Sequence, residues 1–371
     1  MYLPQFHQIP ENVNWWGEGF TEWTNMKKAK PLFEGHYQPR IPLNKNYYDL
    51  SDVETLKWQA KIAKEHGIYG FCMYHYWFNG HLLLEKPMKL LLEHPEIDIN
   101  YCISWANENW TNQWVSKSNK ILMSHDFDDE ADWIKHFNYL LPFFKDSRYI
   151  SEDGKPLMLI YVPHHIGKLK KMLYLWNSMA IENGLQGIKF IYQNHRSHFD
   201  KTMDKSLFDY GIEFQPGFST YLTSNKFHQT LTVWGPKIST WLNKYFGIHL
   251  GIFNRQAKVT ISDYDKTWSQ ILHQRPDREG MIPTAFVDWD NTPRRGERGH
   301  IFLGASPEKF KIYFSQLLVN TKKYYKTDKM FVFAWNEWAE GGYLEPDEKF
   351  KYGYLLAIKE ALSSQSELEN I

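Results

Sequence analysis

One segment near the end of the chain reads Lys329-Met-Phe-Val-Phe-Ala-Trp-Asn-Glu-Trp-Ala-Glu-Gly-Gly-Tyr-Leu-Glu-Pro346. Its first half is a short apolar run, which is typical of a strand buried on both faces. Its second half is aromatic and acidic, and it holds Glu337 and Glu340. If the strand continues as far as Glu337, the alternation of side chains places Trp335 on the same face as that carboxylate.

The acidic half of this segment predicts a pair of carboxylates at the end of a strand. The strand must end before Glu340 for both acids to meet, and Gly341-Gly342 allow a turn there at little conformational cost. Two carboxylates among tryptophans are a common arrangement for chemistry on a glycosidic bond, with one acid protonated and the other ionised. The alternative is a loop with solvated acids and buried rings, since Glu is mostly a surface residue.

Strand and helix patterns alternate along the rest of the 371 residues. Apolar runs predict strands at 1–6, 68–73, 99–104, 157–162, 189–193, 210–215 and 281–287, with the segment above as the eighth. Helical periodicity predicts helices at 51–67, 88–93, 129–144, 168–183, 264–273 and 351–362, and another that Ser306 caps. Residues 5–23 between the first strand and the first helix are interpreted as a loop. Within the helices we expect a capping box of Ser51 with Glu54, and an apolar stripe of Ile134, Phe137, Leu141 and Phe144.

Eight strands alternating with helices predict an α/β fold in which residues 1–371 form a single (β/α)8 TIM-type barrel. Residues 216–262 lack clear periodicity and predict an insertion after the sixth strand. A doubly wound open sheet is the second possibility. That fold should carry a Gly-rich phosphate-binding turn, and the sequence contains no such motif.

Polar and aromatic motifs follow the first, second, third, seventh and eighth predicted strands, always on the C-terminal side. Barrels of this kind carry their active sites on that face. The candidate substrate-binding residues are His7, Trp16, Glu22, Trp23, His75, Tyr76, Trp77, Trp105, Asn107, Trp110, Gln193, Asp288, Asp290, Arg294, Trp335, Asn336 and Trp338.

Some of these candidates have a structural alternative. Five tryptophans either stack on sugar rings or pack at the barrel mouth, namely Trp16, Trp23, Trp77, Trp110 and Trp338. His7 and His75 show no metal-binding spacing, which favours hydrogen bonds to sugar hydroxyls over metal ligation. Glu22 either binds a hydroxyl or is a buried acid whose partners lie in the Gly-rich loop around it.

Composition narrows the class of partner. The formal net charge is zero and the pI is near 7.3, so a nucleic-acid or membrane-surface partner is not expected. Aromatic residues form 17% of the chain, which suits an oligo- or polysaccharide substrate, and no cofactor is predicted. Cys72 and Cys102 lie in apolar runs and are expected in the core. No membrane span or signal peptide is visible, so the sequence favours a cytoplasmic location, with a periplasmic or secreted one left open.

Six motifs, taken in order, resemble those of the WbsX-type proteins over nearly the whole chain. They are Tyr2-Leu-Pro-Gln-Phe-His7, Trp15-Trp-Gly-Glu-Gly-Phe-Thr-Glu-Trp23, Tyr74-His-Tyr-Trp77, Trp105-Ala-Asn-Glu-Asn-Trp110, Asp288-Trp-Asp-Asn-Thr-Pro-Arg294 and Trp335-Asn-Glu-Trp-Ala-Glu-Gly341. That family is similar to the family-99 glycoside hydrolases, the endo-α-mannosidases and endo-mannanases. The similarity to the hydrolases rests mainly on the last motif and the barrel. Members of the WbsX-type family have often been labelled glycosyltransferases.

The resemblance implies roles for two carboxylates, and a third carboxylate resembles the Asn-Glu acid/base of many other barrel glycosidases. Glu337 would be the base that acts on the 2-hydroxyl of the sugar, and Glu340 the acid/base, in a retaining route through a 1,2-anhydro sugar. We then expect a raised pKa for Glu340 and a lower one for Glu337. Glu108 follows the third strand and is a third catalytic candidate, as nucleophile, proton donor or hydroxyl ligand. Substrate binding is the favoured role, because the hydrolases carry both catalytic groups on the last segment.

Two other functional classes stay open. Asp288-Trp-Asp290 resembles the Asp-x-Asp motif with which many glycosyltransferases hold a divalent metal and a nucleotide sugar, and Arg294-Arg295 could neutralise phosphates. Those enzymes use an open nucleotide-binding sheet rather than a barrel. A non-catalytic carbohydrate-binding protein is the third class. The sequence favours a glycoside hydrolase that acts within a bacterial polysaccharide of the O-antigen or capsule type.

Overall fold

The computed structural model describes residues 1–111, 121–194, 203–223 and 259–369. Its central parallel strands pair in chain order: Gly70–Phe78, Asn100–Trp105, Lys155–Ile160, Lys189–Asn194, Tyr210–Glu213 and Met281–Ile282. After Pro283 the chain continues as Thr284–Phe286, which pairs in parallel with Phe331–Phe333. The predicted order of strands two to eight is therefore confirmed.

The opening residues bond to the chain on two sides. The N–H of Tyr2 donates to the carbonyl of Cys72 (2.8 Å), and the N–H of Tyr74 donates to the carbonyl of Tyr2 (3.0 Å). On the other side, the N–H of Trp335 donates to the carbonyl of Met1 (2.8 Å). Residues 1–3 thus lie next to both the first and the last of the parallel strands, as expected in a TIM-barrel-like α/β fold.

Helices connect these strands. The helices are Pro10–Trp16, Glu22–Lys28, Val53–Glu65, Lys86–Glu93, Glu130–Phe144, Leu169–Glu182, Gly217–Thr223, Tyr264–His273, Thr292–Arg295, Pro307–Asn320 and Gly353–Glu369. Short 3₁₀ turns occupy Leu43–Lys45, Pro163–His165, Lys205–Leu207, Gly296–Arg298 and Trp338–Glu340, and a π-turn occupies Thr321–Tyr325. Minor strands are His81–Leu83, Trp110–Thr111, Ile121–Met123, Ser151–Glu152, Thr260–Asp263, His300–Leu303, Asn336–Glu337 and Gly342–Tyr343. None of the helices described is long and apolar enough to cross a bilayer.

Several predicted helices agree closely with the structure. The helix Tyr264–His273 has the predicted bounds, and Ser306 caps Pro307–Asn320 by accepting from the N–H of Lys309. Leu169–Glu182 lies within the predicted range 168–183 and buries one apolar face, made of Leu169, Met172, Leu173, Trp176 and Ala180. Regular apolar spacing predicts these helices well because one face of each must pack on the strands.

Three expectations about the helices were wrong. Residues 5–23 contain the helix Pro10–Trp16 and the start of Glu22–Lys28, where a loop was expected. The side chain of Asp52, not Ser51, caps Val53–Glu65, because it lies one residue closer and accepts from the N–H of Glu54. In Glu130–Phe144 the buried face holds Trp133, Phe137, Leu140 and Phe144, while Ile134 is exposed, because the helix is rotated relative to the predicted stripe.

The end of the last strand also differs from a continuous run to Glu337. Regular pairing with Thr284–Phe286 stops at Phe333, and Asn336–Glu337 pairs instead with Gly342–Tyr343 in an antiparallel ladder. Of the predicted insertion at 216–262, the structure describes Gly217–Thr223 and Thr260–Asp263. Residues 224–258 lie outside the described residues, and the single-domain organisation stays a prediction.

Candidate active site

A single guanidinium contacts three carboxylates beside the last strand. Arg294 Nε lies 3.1 Å from Glu22 Oε2, Nη2 lies 3.2 Å from Glu337 Oε1, and Nη1 lies 3.1 Å from Glu340 Oε1. We call Glu22, Arg294, Glu337 and Glu340 the Arg294 cluster. Gln5 adds a hydrogen bond from Nε2 to Glu337 Oε2 (3.3 Å). Four separate stretches of the chain, at residues 5, 22, 294 and 337–340, are thus brought together.

The turn after the last strand brings Glu337 and Glu340 together. Glu337 ends the antiparallel ladder, and the 3₁₀ turn Trp338–Glu340 follows immediately. Gly341 then adopts φ +69°, a left-handed conformation that glycine tolerates best. As the Gly-Gly pair predicts, the chain reverses directly after Glu340, and both carboxylates reach the same arginine.

Burial dominates the electrostatics of Glu337. Its side chain is 4% exposed, against 12% for Glu340 and 18% for Glu22. Burial raises the pKa of Glu337 to about 8; Arg294 opposes this increase, and the charges of Glu340 and Glu22 add to it. We expected Glu337 to have the lower pKa of the two acids, yet its pKa is raised, because it is the more deeply buried of the two, which the sequence does not show.

Tyrosines on the inner face of the strands approach the cluster. Burial raises the pKa of Tyr76, with further contributions from the charges of Glu337, Glu108 and Glu22, while Arg294 opposes them. Tyr76 therefore lies within electrostatic range of both the Arg294 cluster and Glu108.

Two more tyrosines belong to this inner face. The ring of Tyr74 lies 5.9 Å from that of Tyr161, edge to face. Burial raises the pKa of Tyr161, and Glu108 and Glu340 contribute. Gln193 lies beside the phenol of Tyr74. Neither Tyr74 nor Tyr161 was among the sequence candidates, although Tyr74 shares a strand face with Tyr76 by simple alternation.

Neighbouring residues on the same strands face the helix Glu130–Phe144 instead. His75 Nε2 lies 2.9 Å from His136 Nε2, and Trp77 Nε1 donates to Asp132 (2.9 Å). The ring of Trp105 packs edge-on against His136 at 4.7 Å. His75, Trp77 and Trp105 are buried on the side of their strands that faces this helix, and their role in substrate binding stays a prediction.

Other aromatic candidates are core residues as well. Trp23 is buried and donates to the carbonyl of Tyr48 (2.8 Å), while Trp335 packs on Phe71 (5.1 Å). Trp338 stacks on Tyr343 at 3.7 Å and donates from Nε1 to Glu345 (2.6 Å). These three rings are packed against protein atoms, which favours core packing over stacking on sugar rings, and their role in substrate binding stays a prediction.

Two tryptophans remain partly exposed. Trp16 packs on Phe20 at 5.9 Å, and Trp110 lies 5.2 Å from Tyr76 and 5.9 Å from Trp15. The contact with Tyr76 places Trp110 next to the cluster. Trp110 and Trp16 therefore stay candidates for stacking on sugar rings.

Two asparagine candidates bind the backbone. Asn107 donates from Nδ2 to the carbonyl of Val162 and accepts from the N–H of Val162, both at 2.7 Å. Asn336 makes the same pair of bonds with Leu3, at 2.9 and 2.8 Å. Both amides are buried and join neighbouring chain segments, and their role in substrate binding stays a prediction. His7 is also buried, and burial lowers its pKa.

The Asp288-Trp-Asp290 motif forms a second group of charges. Asp288 Oδ2 lies 2.8 Å from Arg40 Nη2, and Asp290 Oδ2 lies 2.9 Å from His36 Nε2 and accepts from Gln38 Nε2 (2.7 Å). We call His36, Gln38, Arg40, Asp288 and Asp290 the Arg40 cluster. Within the described ranges, no three His, Cys, Asp or Glu side chains are arranged to hold a metal ion.

The two clusters adjoin each other. Arg40 Nη1 donates to the carbonyl of Gly341 (3.0 Å), and the N–H of Asp290 donates to the carbonyl of Glu340 (2.7 Å). His36, Gln38 and Arg40 were missed in the sequence, although polar residues at every second position indicate an extended segment with one polar face.

A family model and two sets of known proteins resemble the chain. The family model described as "Glycosyltransferase WbsX" matches residues 1–358. The uncharacterized protein WxcX of Xanthomonas campestris pv. campestris, strain B100, is 33% identical over 370 residues, which is 98% of this chain and 49% of that protein. The chain thus spans about half the length of the curated relatives it matches.

Solved structures share the fold. The GH99 endo-alpha-mannosidase from Bacteroides thetaiotaomicron covers 100% of this chain, and the match spans 97% of that protein at 12% identity and a TM-score of 0.56. A structure described as a glycoside hydrolase-like protein matches 87% of this chain and 89% of its own at 12% identity and a TM-score of 0.52. At these identities the comparison shows a common α/β architecture of the TIM-barrel type.

Proposed function

We propose that this chain, which belongs to the glycosyltransferase WbsX family, is a glycan-processing enzyme and specifically a glycoside hydrolase. The proposed substrate is a bacterial polysaccharide of the O-antigen or capsule type, cleaved internally with retention of configuration. The observation that carries the proposal is the pair Glu337 and Glu340 on adjacent nitrogens of Arg294. Two carboxylates in unequal environments are what hydrolysis of a glycosidic bond requires.

The proposed mechanism follows the two acids through two steps. Glu337 accepts the proton of the sugar 2-hydroxyl while that oxygen attacks the anomeric carbon, and Glu340 donates its proton to the departing oxygen. A water molecule then gives its proton to Glu340 and opens the 1,2-anhydro sugar, whose oxygen recovers the proton from Glu337. A pKa of about 8 makes the ionised form of Glu337 a stronger base than an ordinary carboxylate.

We infer that the scaffold is a closed eight-stranded barrel with an insertion after the strand Tyr210–Glu213. The bonds of residues 1–3 to both Cys72 and Trp335 support closure. In such a barrel the Arg294 cluster would lie at the C-terminal face, where strand ends supply catalytic groups. Glu108 and Trp110 follow the strand Asn100–Trp105 and would extend the site toward the substrate.

The second candidate is a glycosyltransferase, which the family description favours. That reaction would use Asp288 and Asp290 to hold a metal and a nucleotide sugar. Their contacts with Arg40, His36 and Gln38 argue against this role, because they already use the carboxylate oxygens. A non-catalytic sugar-binding protein is the third class, and the basicity of Glu337 would then have no use.

Incubation of the purified protein with polysaccharide from its own gene neighbourhood separates these classes. Shortened chains formed without any nucleotide sugar support the hydrolase, and NMR of the first-formed anomer tests retention. Product formed only when a nucleotide sugar is added would instead support the transferase. Binding without turnover by wild type, unchanged in Glu337→Gln, would contradict both enzymatic proposals.

A further inference from the structure

Asp290 lies between two parts of the Arg294 cluster. Its Oδ1 accepts from the N–H of Thr292 (3.0 Å) and from the hydroxyl of Thr292 (2.6 Å). Thr292 begins the four-residue helix Thr292–Arg295, which carries Arg294. Through its own backbone, Asp290 also donates to the carbonyl of Glu340 (2.7 Å). One residue therefore contacts both the helix of the guanidinium and the turn of the second carboxylate.

The other oxygen of Asp290, Oδ2, also accepts two hydrogen bonds. The N–H of Leu32 donates to His36 Nδ1 (3.0 Å), so the proton of a neutral His36 ring lies on Nε2 and points at Asp290 Oδ2. Gln38 Nε2 donates to the same oxygen (2.7 Å), and Asp290 is fully buried. A carboxylate that accepts four hydrogen bonds has little capacity left for a metal or a ligand.

The start of the short helix is bonded to Asp290 and, through Asn291, to His300. Thr292 and Asn291 are buried at its start, and Gly296 ends it after one turn. A four-residue helix is not stable by itself, so its position depends on the contacts at its start. Arg294 meets its three carboxylates at 3.1–3.2 Å, and a small displacement of this turn would open those contacts.

We propose that Asp290 is a positioning residue that holds the helix of Arg294 and the turn of Glu340 in a fixed relation. The Asp288-Trp-Asp290 motif then belongs to the frame of the carboxylate site and is not a metal–nucleotide site. The effect of this positioning by Asp290 on catalysis rests on the proposed function. The geometric statement, that Asp290 and Thr292 together place Arg294 against Glu337, can be tested without a substrate.

The pKa of Glu337 depends on the position of the Arg294 guanidinium, so a titration of Glu337 detects a displacement of Arg294. The charged and titratable groups of the described residues that face Glu337 are Arg294, Glu340, Glu22, Tyr74 and Tyr76. The charge of Arg294 opposes the increase in the pKa of Glu337 more than the backbone hydrogen bond of Glu340 does. If Arg294 moves away, the pKa of Glu337 must rise. The measurement is a pH titration by ¹³C NMR of the full chain labelled at glutamate carboxyls, with the Glu337 signal assigned from Glu337→Gln.

Thr292→Val is the sharpest variant, because it removes the hydroxyl that donates to Asp290 and leaves every carboxylate in place. We expect the pKa of Glu337 to rise by on the order of 1, and kcat/KM on an accepted glycan to fall about tenfold. Thr292→Ser keeps the hydroxyl and should titrate like wild type. Asp290→Asn should shift the titration in the same direction as Thr292→Val, and if it fails to fold, Thr292→Val carries the test alone.

A folded Thr292→Val that titrates like wild type would overturn the positioning role. Activity that requires Mn²⁺, disappears in Asp290→Asn and persists in Thr292→Val would overturn it in favour of a metal site. The titration needs no substrate, so failure of the two proposals can be told apart. An inactive protein with the expected shift defeats only the hydrolase, whereas hydrolysis with an unchanged titration defeats only the positioning role.

Discussion

The Arg294 cluster and the Arg40 cluster contain the same kinds of charged group, but the pKa of Glu337 is raised in the first and the pKa of Asp290 is lowered in the second. Both pair buried acids with a buried arginine, and they touch through Glu340, Gly341 and Asp290. Burial works against ionisation in Asp290, yet the hydrogen bond of His36, the charge of Arg40 and the bonds of Thr292 and Gln38 lower its pKa to about 2.

Glu337 shows the other outcome. Its Oε2 receives long contacts from Gln5 (3.3 Å) and Arg294 (3.5 Å), and its Oε1 lies 3.2 Å from Arg294. Glu337 also faces two further carboxylates, and burial raises its pKa to about 8. Hydrogen-bond donors, more than the nearby arginine, therefore separate the two acids. A carboxylate that is saturated with donors serves as a structural anchor, whereas one that is desolvated and short of donors can exchange a proton near neutral pH.

The largest expected effect of a mutation is at Glu337. Glu337→Gln removes the proposed base and should lower kcat by on the order of a thousandfold, measured as the rate of chain shortening. The matched control is Glu213→Gln. Burial raises the pKa of Glu213 to about 7, but this acid bonds to Tyr325 (3.2 Å) away from the cluster. Equal loss of activity in both variants would show that any buried acid matters, and the contrast between clusters would fail.

Glu340→Gln tests the proposed role of Glu340 as the acid that protonates the leaving group. Natural linkages have a poor leaving group that needs a proton, so we expect kcat/KM to fall on the order of a hundredfold. An activated aryl glycoside leaves without protonation and should lose far less. The comparison of the two substrates under identical conditions is the measurement. A similar loss on both would exclude Glu340 as the acid.

The pH dependence of stability should have opposite signs for the two clusters. Glu337 has a folded pKa above its ordinary value of 4.5, so its burial destabilises the fold as pH rises from about 4.5 to about 8. Asp290 has a folded pKa below its ordinary 3.8, so it stabilises the fold above that pH, and the contribution is lost as pH falls toward 2. The contribution to the free energy of unfolding is on the order of a few kcal/mol for Glu337 and about 2 kcal/mol for Asp290.

Denaturant unfolding from pH 2 to pH 9 measures both contributions. Glu337→Gln should flatten the decline in the free energy of unfolding on the alkaline side, and Asp290→Asn should flatten the decline on the acid side. Glu297→Gln changes an exposed acid close to Arg294 in sequence and should leave both slopes as in wild type. Identical slopes in wild type and Glu337→Gln would contradict the unusual pKa of Glu337.

The smallest expected effect concerns the glycine between the clusters. A Cβ at Gly341 would lie 2.9 Å from Asp290 N and 3.0 Å from Arg40 Cζ, and φ is +69°. Gly341→Ala should lower the free energy of unfolding by about 2 kcal/mol, because conformational strain and crowding add. Gly184→Ala meets the same kind of strain at φ +89° with nothing within 4 Å, so it should cost less. Equal losses would show that the clusters do not crowd this turn.

Sequence periodicity predicted the parts of this protein that depend on nearest neighbours. The strand order, the helix at 264–273 and the caps at Ser306 follow from local spacing and turn residues. The two acids after the last strand, and the reversal at Gly341, were also visible because they lie within five residues of each other.

The side of a strand on which a residue lies, and the residues that it contacts, were harder to predict. The sequence could place Tyr76 and His75 at the end of one strand, but it could not show that Tyr76 faces the carboxylates while His75 faces His136. The same holds for Trp335 and Trp338, whose aromatic character suits both a sugar wall and a core.

The sequence by itself determined which chemical groups are available: strands that end in acids and aromatic rings, and a family resemblance along the whole chain. Only the tertiary structure decided which of those acids have a raised pKa and which have a lowered one. It brings Arg294 to Glu22, Glu337 and Glu340, and it surrounds Asp290 with donors from residues 36–38 and 292. The physical reason is that a pKa depends on desolvation and on donors contributed by distant segments, and neither is encoded in local spacing.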